Sequence, residues 1–346
     1  MPDLPVDDSL AAPFTRLTLD RVRQIASHDF GIDVIDLHRL DTERDDTFVL
    51  DDAMGQRVLL KVAHPTDSFD MIDLSVQAMT HVAARDQSLP IPAVIGSTRG
   101  ELLTTVAGMD DEPRYARALT WLPGRVPTLD VLTARQAARR GSLLGRLNVA
   151  LSDFEHQGSR RYIAWDLQQV GTLRPFLEHV PDAPTRELVA AQLDTFDGQT
   201  GPKMRSLRQQ VIHNDLNSDN VLVANDDTDL VTGILDFGDV VFSATVADVG
   251  LAMSYVIDVG RPERDAWLNP YALANAFHAH QPLTDQEWEL LPALVRARLS
   301  QRLLLGSWLS ATNPDNAEYT SRTLESATIA LALIHDRDPH EGLRDG

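Results

Sequence analysis

Residues 211–242 read VIHNDLNSDNVLVANDDTDLVTGILDFGDVVF, and four polar residues in this stretch, His213, Asp215, Asn220 and Asp236, stand at spacings that decide the fold. The first three make the pattern H-x-D-x-x-x-x-N, and Asp236-Phe237-Gly238 begins sixteen residues after Asn220. Between them, residues 221–224 and 230–235 are apolar or β-branched runs flanking the polar turn 225–229, which predicts a hairpin. The hairpin brings Asp236 back beside Asn220. Alone, His-Asn-Asp-Leu could be no more than a capped turn with a satisfied histidine; the hairpin and the Asp-Phe-Gly behind it make the segment read as chemistry. Oxygens of an Asn and an Asp on adjacent strand ends, with phosphate oxygens completing the shell, suit magnesium, a small hard cation that rarely receives a full protein cage. The spacing is that of a phosphoryl-transfer catalytic loop, whose Asp accepts the proton of the attacking hydroxyl and whose Asn holds the metal. On this reading Asp215 is the catalytic base, Asn220 and Asp236 are metal ligands, and His213 is structural, bracing the loop by hydrogen bonds.

Upstream, the pattern predicts a helix over 19–29, with Thr18 as N-cap and Gly31 just beyond its end. Strands follow at 34–40, 47–50 and 57–63, the last two joined by the turn 51–56. Lys61 lies among apolar residues in the third strand, the setting in which a kinase presents a lysine to nucleotide phosphates. The next helix, 68–84, holds no Glu to pair with that lysine; Asp73 and Gln77 are the candidate partners, and sequence does not choose between them. Strands are expected at 93–97 and 101–106 around the turn 98–100, and a strand over 115–122 runs into Pro123-Gly124. That dipeptide reads as a hinge between a small β-rich lobe, residues 1–122, and a larger helical one, residues 123–346.

Beyond the hinge the periodicity is helical. Residues 133–154 carry Leu143, Leu144, Leu147 and Leu151 at three-to-four spacing. Thr284 and Glu287 form a capping box ahead of a helix with Trp288, Leu291 and Leu294, and two further helices are expected within 294–311 and 319–335. The acidic stretch 108–112 reads as an exposed loop.

Composition fits a cytoplasmic enzyme. A formal net charge of −20 argues against nucleic acid or an anionic membrane as partner and favours cationic ligands. The absence of cysteine excludes disulfides, thiolate nucleophiles and thiolate metal sites. The amino terminus, MPDLPVDDSLAAPF, is acidic and broken by Pro, unlike a signal peptide, and no apolar run approaches the length of a membrane span.

The chain resembles the aminoglycoside phosphotransferase and choline kinase superfamily. The residues that carry the likeness are Glu43-Arg44-Asp45-Asp46, Lys61, the hinge Leu119-Thr-Trp-Leu-Pro-Gly124, the loop from His213 to Asn220, and Asp236-Phe-Gly-Asp239. Within it the chain is most similar to the branch of hydroxylysine kinase and of the kinase-like domains fused to class III aminotransferases. That likeness rests on Glu43-Arg44-Asp45-Asp46, on Trp165-Asp166-Leu167, on HNDLNSDNVLV followed by GILDFGDV, and on Ala247-Asp248-Val249-Gly250-Leu251-Ala252. The resemblance implies an α+β, bilobal protein-kinase-like fold, with a small antiparallel sheet in the amino-terminal lobe and a mainly helical carboxy-terminal lobe.

It also implies ATP and Mg2+ as cofactors, and transfer of the γ-phosphoryl group to the hydroxyl of a small molecule that also carries an amine. Lys61 then binds phosphate oxygens, and residues 118–122, with Thr120, Trp121 and Leu122, present backbone groups to adenine. Asp239 faces an acceptor ammonium. Trp165 offers it a cation–π face or else packs in the core, and Asp166 lies near the pocket mouth or caps a helix. One departure from the kinase pattern is the loop 41–46, which has no glycine and four carboxylates. Backbone amides of residues 45–47, Thr47 among them, are expected to meet the phosphates while the carboxylates point outward. Three readings follow: a kinase for an amino alcohol or hydroxylated amino acid such as 5-hydroxylysine, an aminoglycoside-type antibiotic phosphotransferase, and a noncatalytic nucleotide-binding module. Retention of Asp215, Asn220, Asp236 and Lys61 together speaks against the third.

Overall fold

The computed structural model describes residues 14–42, 44–127, 132–312, 317–335 and 337, so residues 1–13 and Glu43 of the acidic loop lie outside the described residues. Helix α1 (Leu19–Phe30) begins at Thr18, whose hydroxyl accepts from the Arg21 amide, and ends at Gly31, as its sequence signals require. An N-cap hydroxyl of this kind contributes about 1 kcal/mol.

Strands β1 (Val34–Leu40), β2 (Asp46–Asp52) and β3 (Arg57–Val62) form an antiparallel meander. Helix α2 (Phe69–Arg85), capped by Ser68, leads to β4 (Val94–Ile95), β5 (Thr104–Ala107) and β6 (Pro113–Thr120). The sheet runs β1-β2-β3-β6-β4, with β5 also on β6. The 98–100 turn is closed by Ser97 N donating to Glu101 O at 2.8 Å, yet β4 and β5 both pair with β6 and not with each other. Val22, Ile25, Phe48, Leu50, Leu60 and Ala118 share one buried cluster that joins α1 to the sheet. Period-2 alternation leaves the other side chains of β2, β3 and β6 on the opposite face. Register sets Thr47 opposite Lys61 and Lys61 opposite Arg117.

After β6, Gly124 takes a φ of 123°, and a Cβ there would stand 2.6 Å from Val223 O, so only glycine fits this crossing. Arg125 and Val223 then exchange two backbone hydrogen bonds of 2.9 Å. Helix α3 (Ala134–Leu151) carries a capping box between Thr133 and Gln136. A 3-10 run (Leu167–His179) precedes α4 (Ala183–Thr195), a π turn (Phe196–Thr200) and α5 (Gly201–Ser206).

Strands β7 (Gln209–Ile212) and β10 (Val241–Ala244) pair antiparallel, enclosing the hairpin of β8 (Val221–Val223) and β9 (Val231–Ile234). The segment quoted first is therefore pinned at both ends by one small sheet and folded in the middle by another. Helices α6 (Thr245–Ser254), α7 (Leu268–His278), α8 (Asp285–Thr312) and α9 (Ala317–His335) complete the chain. At Gly141 a Cβ would meet Leu273 O at 2.1 Å, so glycine lets α3 and α7 approach backbone to backbone.

The expected break between a helix starting near 284 and another within 294–311 is absent: α8 runs unbroken for 28 residues through Pro292. An interior proline costs a helix about 3 kcal/mol. Here Leu290, Leu291, Leu294, Val295 and Leu299 are all buried around it, and tertiary packing outweighs the local cost.

The result is an α+β, protein-kinase-like fold, an antiparallel sheet followed by a mainly helical portion. Among the described residues, no helix is long and apolar enough to cross a membrane.

Candidate active site

The catalytic-loop residues sit where β7 ends. His213 is fully buried, and its ring tautomer follows from its partners. Nε2 lies 3.1 Å from Leu235 O, which can only accept, while Nδ1 lies 3.3 Å from the Asp215 amide, which can only donate. The ring is thus a neutral imidazole with its proton on Nε2, and burial pushes its pKa down. Phe237 packs edge-on against it at 4.9 Å between centroids. One histidine ties the loop to the Asp-Phe-Gly turn. The buried Asp248 of α6 accepts from the amides of His213 at 3.3 Å and Asn214 at 2.9 Å, and from Asn148 Nδ2 at 2.7 Å. These bonds hold Asn214 at a φ of 64°, a left-handed conformation that asparagine tolerates better than most residues.

Asp215 receives Asn217 Nδ2 on one oxygen at 2.9 Å and Asn220 Nδ2 on the other at 2.5 Å. Burial raises its pKa well above the usual carboxylate range, the Asp239 charge raises it further, and the Arg298 guanidinium works against both. Asn217 Oδ1 also accepts from the amides of Asp219 and Asn220, which shapes the turn into β8. Asn220 O accepts from Leu235 N at 2.8 Å, so the hairpin delivers Asp236 beside Asn220 as its sequence pattern predicts. Asp236 has a φ of 54° and accepts from Gly238 N at 3.0 Å. Its carboxyl is held below the ordinary range chiefly by the Lys61 charge, whose Nζ lies 4.0 Å away.

Lys61 does not pair with α2. Asp73 is bonded by Gln77 at 3.2 Å and lies 3.1 Å from His156 Nε2, whereas Lys61 Nζ stands 3.1 Å from Asp45 Oδ2. Asp45 and Asp46 of the acidic loop are turned inward, contrary to expectation, while Asp41 is exposed as expected. Asp45 also receives Arg117 Nη2 at 2.7 Å, and Asp46 is fully buried against Arg39, 2.8 Å away, and the Leu17 amide. The reason is the sheet register, which lines up cations on neighbouring strands in front of the loop. Thr47 belongs to β2, paired with Leu40 on one side and Lys61 on the other and 2% exposed, so it lies in the sheet and not in the phosphate-facing loop.

At the end of β6, Thr120 donates its amide to Ala93 O at 2.9 Å and Trp121 donates to Arg57 O at 3.3 Å. Both amides are therefore spent within the protein. One face of the Trp165 ring is taken by the protein's own Arg298 guanidinium, 4.8 Å from its centroid, and the side chain packs against the core. Asp166 caps the 3-10 run: it is 2% exposed and accepts from the Gln168 amide and from Ser243 Oγ at 2.8 Å. That capping role takes it away from the pocket mouth. Asp239 is half-buried and near enough to Asp215 and Arg161 to influence the ionisation of both.

Three residues of this site were not assigned a role from sequence: Arg117, Asp248 and Arg298. Asp248 carries one available signal, the lone charge of the otherwise apolar α6, whereas Arg117 shares its strand with Arg114 and Arg298 shares α8 with Arg296 and Arg302. Burial of such a charge requires a partner.

The comparisons agree with this geometry. Hydroxylysine kinase of Mus musculus is 27% identical over 330 residues, spanning 89% of this chain and 86% of that protein. Homoserine kinase of Methylobacillus flagellatus is 28% identical over 308 residues, spanning 87% and 86%. Among solved structures, the amicoumacin kinase hAmiN in complex with AMP-PNP, Ca2+ and Ami superposes with a TM-score of 0.68 at 15% identity, covering 94% of this chain and 97% of that one. A microcompartment-associated aminopropanol kinase gives 0.64 at 20% identity, covering 94% and 99%. With residues 36–283 matching it and the catalytic-loop motif folded as described, the chain belongs to the phosphotransferase enzyme family.

Proposed function

We propose that the protein transfers the γ-phosphoryl group of ATP, taken as its magnesium complex, to a hydroxyl of a small amine-bearing acceptor, a hydroxylated amino acid of the 5-hydroxylysine kind, in the cytoplasm. The observation that carries this reading is the convergence of Asp215, Asn220, Asp236 and Lys61 through β7, the hairpin and β3. The curated relatives at 27% and 28% identity, named for hydroxylysine and homoserine, support the acceptor class.

The donor set fits a magnesium nucleotide. Asn220 turns its Nδ2 to Asp215, which leaves its carbonyl oxygen for a cation, and Asp236 stays ionised beside it. A metal held there neutralises charge on the phosphates. Among the described residues no group of three or more His, Asp or Glu gathers into a cage, so substrate oxygens and water complete any shell. Lys61 meets nonbridging phosphate oxygens, with the Asp45 amide left to face the same phosphates, and Leu122 meets the base. Asp215 orients the acceptor hydroxyl in line with the γ-phosphorus and takes its proton as the new oxygen–phosphorus bond forms and the bond to ADP breaks. Asp239, on the acceptor side of Asp215, pairs with the amine.

A screen of ATP consumption by the purified protein against hydroxylysine, homoserine, ethanolamine, choline and several aminoglycosides tests the proposal. Turnover is expected with a hydroxy amino acid. Turnover confined to aminoglycosides, or with no acceptor, would overturn it.

A further inference from the structure

Lys61 and Asp45 meet through the sheet alone. Lys61 is on β3, Asp45 is the residue before β2, and β2 and β3 are hydrogen-bonded neighbours whose register pairs Asp46 with Val62. On the other side of β3, Arg117 is the register partner of Lys61, and both cations reach the same oxygen of Asp45, at 3.1 and 2.7 Å. All three side chains are nearly shut off from solvent, Lys61 being 14% exposed, Asp45 11% and Arg117 6%. In a protein kinase the lysine is held by a Glu on the adjacent helix. Here the candidate acid of α2, Asp73, is turned to His156, 3.1 Å away.

We propose that Asp45, braced by Arg117, is the positioning acid for Lys61, replacing the helix acid with one fixed by strand register. The proposal rests on Lys61 being the phosphate-binding lysine. Two cations against Asp45 leave one positive charge to face Asp236 and phosphate oxygens. Burial alone would push the Asp45 carboxyl up, but the Arg117 and Lys61 charges hold it well below the usual range and keep it ionised.

The sequence offers a clean test, because Lys61 and Lys203 are its only lysines and Lys203 is exposed. Limited acetylation of the full-length protein with an N-hydroxysuccinimide ester at one pH, read by peptide mass spectrometry, gives the labelling of Lys61 relative to Lys203. Asp45→Asn is expected to raise that ratio several-fold by releasing the amine, and Asp73→Asn to leave it unchanged. An unchanged ratio in Asp45→Asn, or an equal rise in Asp73→Asn, overturns the proposal. Kinetics supply a second readout. Asp45→Asn should lower kcat by about 10²-fold, the scale of a misplacement near 1 Å, with little change in the KM for ATP. A gain in ATP affinity with turnover kept would mean that Asp45 blocks the phosphate site, and would also overturn it. Should Asp45→Asn fail to fold, Arg117→Gln removes the brace, keeps the acid and takes its place in both comparisons. The labelling needs no nucleotide: a parent protein that binds no ATP refutes the kinase reading, while the pairing is still decided by the ratio.

Discussion

Arg298 Nη2 lies 3.7 Å from Asp215 Oδ1, and of the two partners the cation is the more deeply buried, 1% exposed against 21%. Arg298 is held by Trp165 O and Gln301 Oε1, each at 2.8 Å, and by the Tyr255 hydroxyl at 3.2 Å. Removing the Asp215 charge therefore leaves Arg298 with partners, and the variant should fold. Asp215→Asn is expected to lower kcat by about 10²-fold or more, the usual scale of general-base catalysis, with unchanged magnesium-ATP affinity by calorimetry. Near-parental turnover would remove Asp215 from its role.

Asn220→Ala and Asp236→Ala address the metal. Each deletes one of the two proposed protein ligands, so both should weaken ATP binding in the presence of magnesium far more than in EDTA. Equal affinities of parent and variants in magnesium would exclude the pair as ligands. Asp236→Ala also places alanine at a φ of 54°, so its melting temperature should fall as well.

Asp239 tests the acceptor. A charge-assisted hydrogen bond to an ammonium contributes about 1.5–3 kcal/mol. Asp239→Asn should accordingly raise the acceptor KM by roughly tenfold or more, at about 1.4 kcal/mol per decade, with the KM for ATP nearly constant. An acceptor analogue lacking the amine should show a similar loss with the parent and little further loss with the variant. Simple addition of the two effects would separate Asp239 from the amine.

Asp45 predicts a pH effect on stability. Its folded-state pKa is depressed, so its contribution is present above the unfolded value, near pH 4, and is lost as pH falls through the folded value. The melting temperature of Asp45→Asn should lie below that of the parent at pH 6, and the gap should close toward pH 2. A gap that is constant across this range would mean the ion cluster contributes nothing.

What could be read in the sequence was local. The Thr18 cap, the Thr284–Glu287 box and the hairpin after Asn220 are signals spanning a few residues, and each appears in the fold. The order from His213 to Asp236 fixed the site because the hairpin closes it within one segment. The inward turn of Asp45 depends instead on which strands adjoin, and β6 reaches Arg117 only after α2, β4 and β5 have intervened. Pairing of β7 with β10, the bonds of Asp248 to the catalytic loop, and the cover of Arg298 over Trp165 likewise join distant parts of the chain with no periodic trace. The unbroken course of α8 past Pro292 was not legible either, because burial on nearly every side of the helix outweighs the local cost of the proline.

The remoteness of Arg298 has a consequence for biosynthesis. A nascent chain exposes the whole catalytic loop before α8 has been made, and the carboxy-terminal portion must emerge before Asp215 meets its guanidinium. Until then the base has neither its counter-charge nor the cover of α8, so a message truncated ahead of that helix would encode every motif residue without a competent site. Formation of the Asp215–Arg298 pair therefore waits on the synthesis of α8.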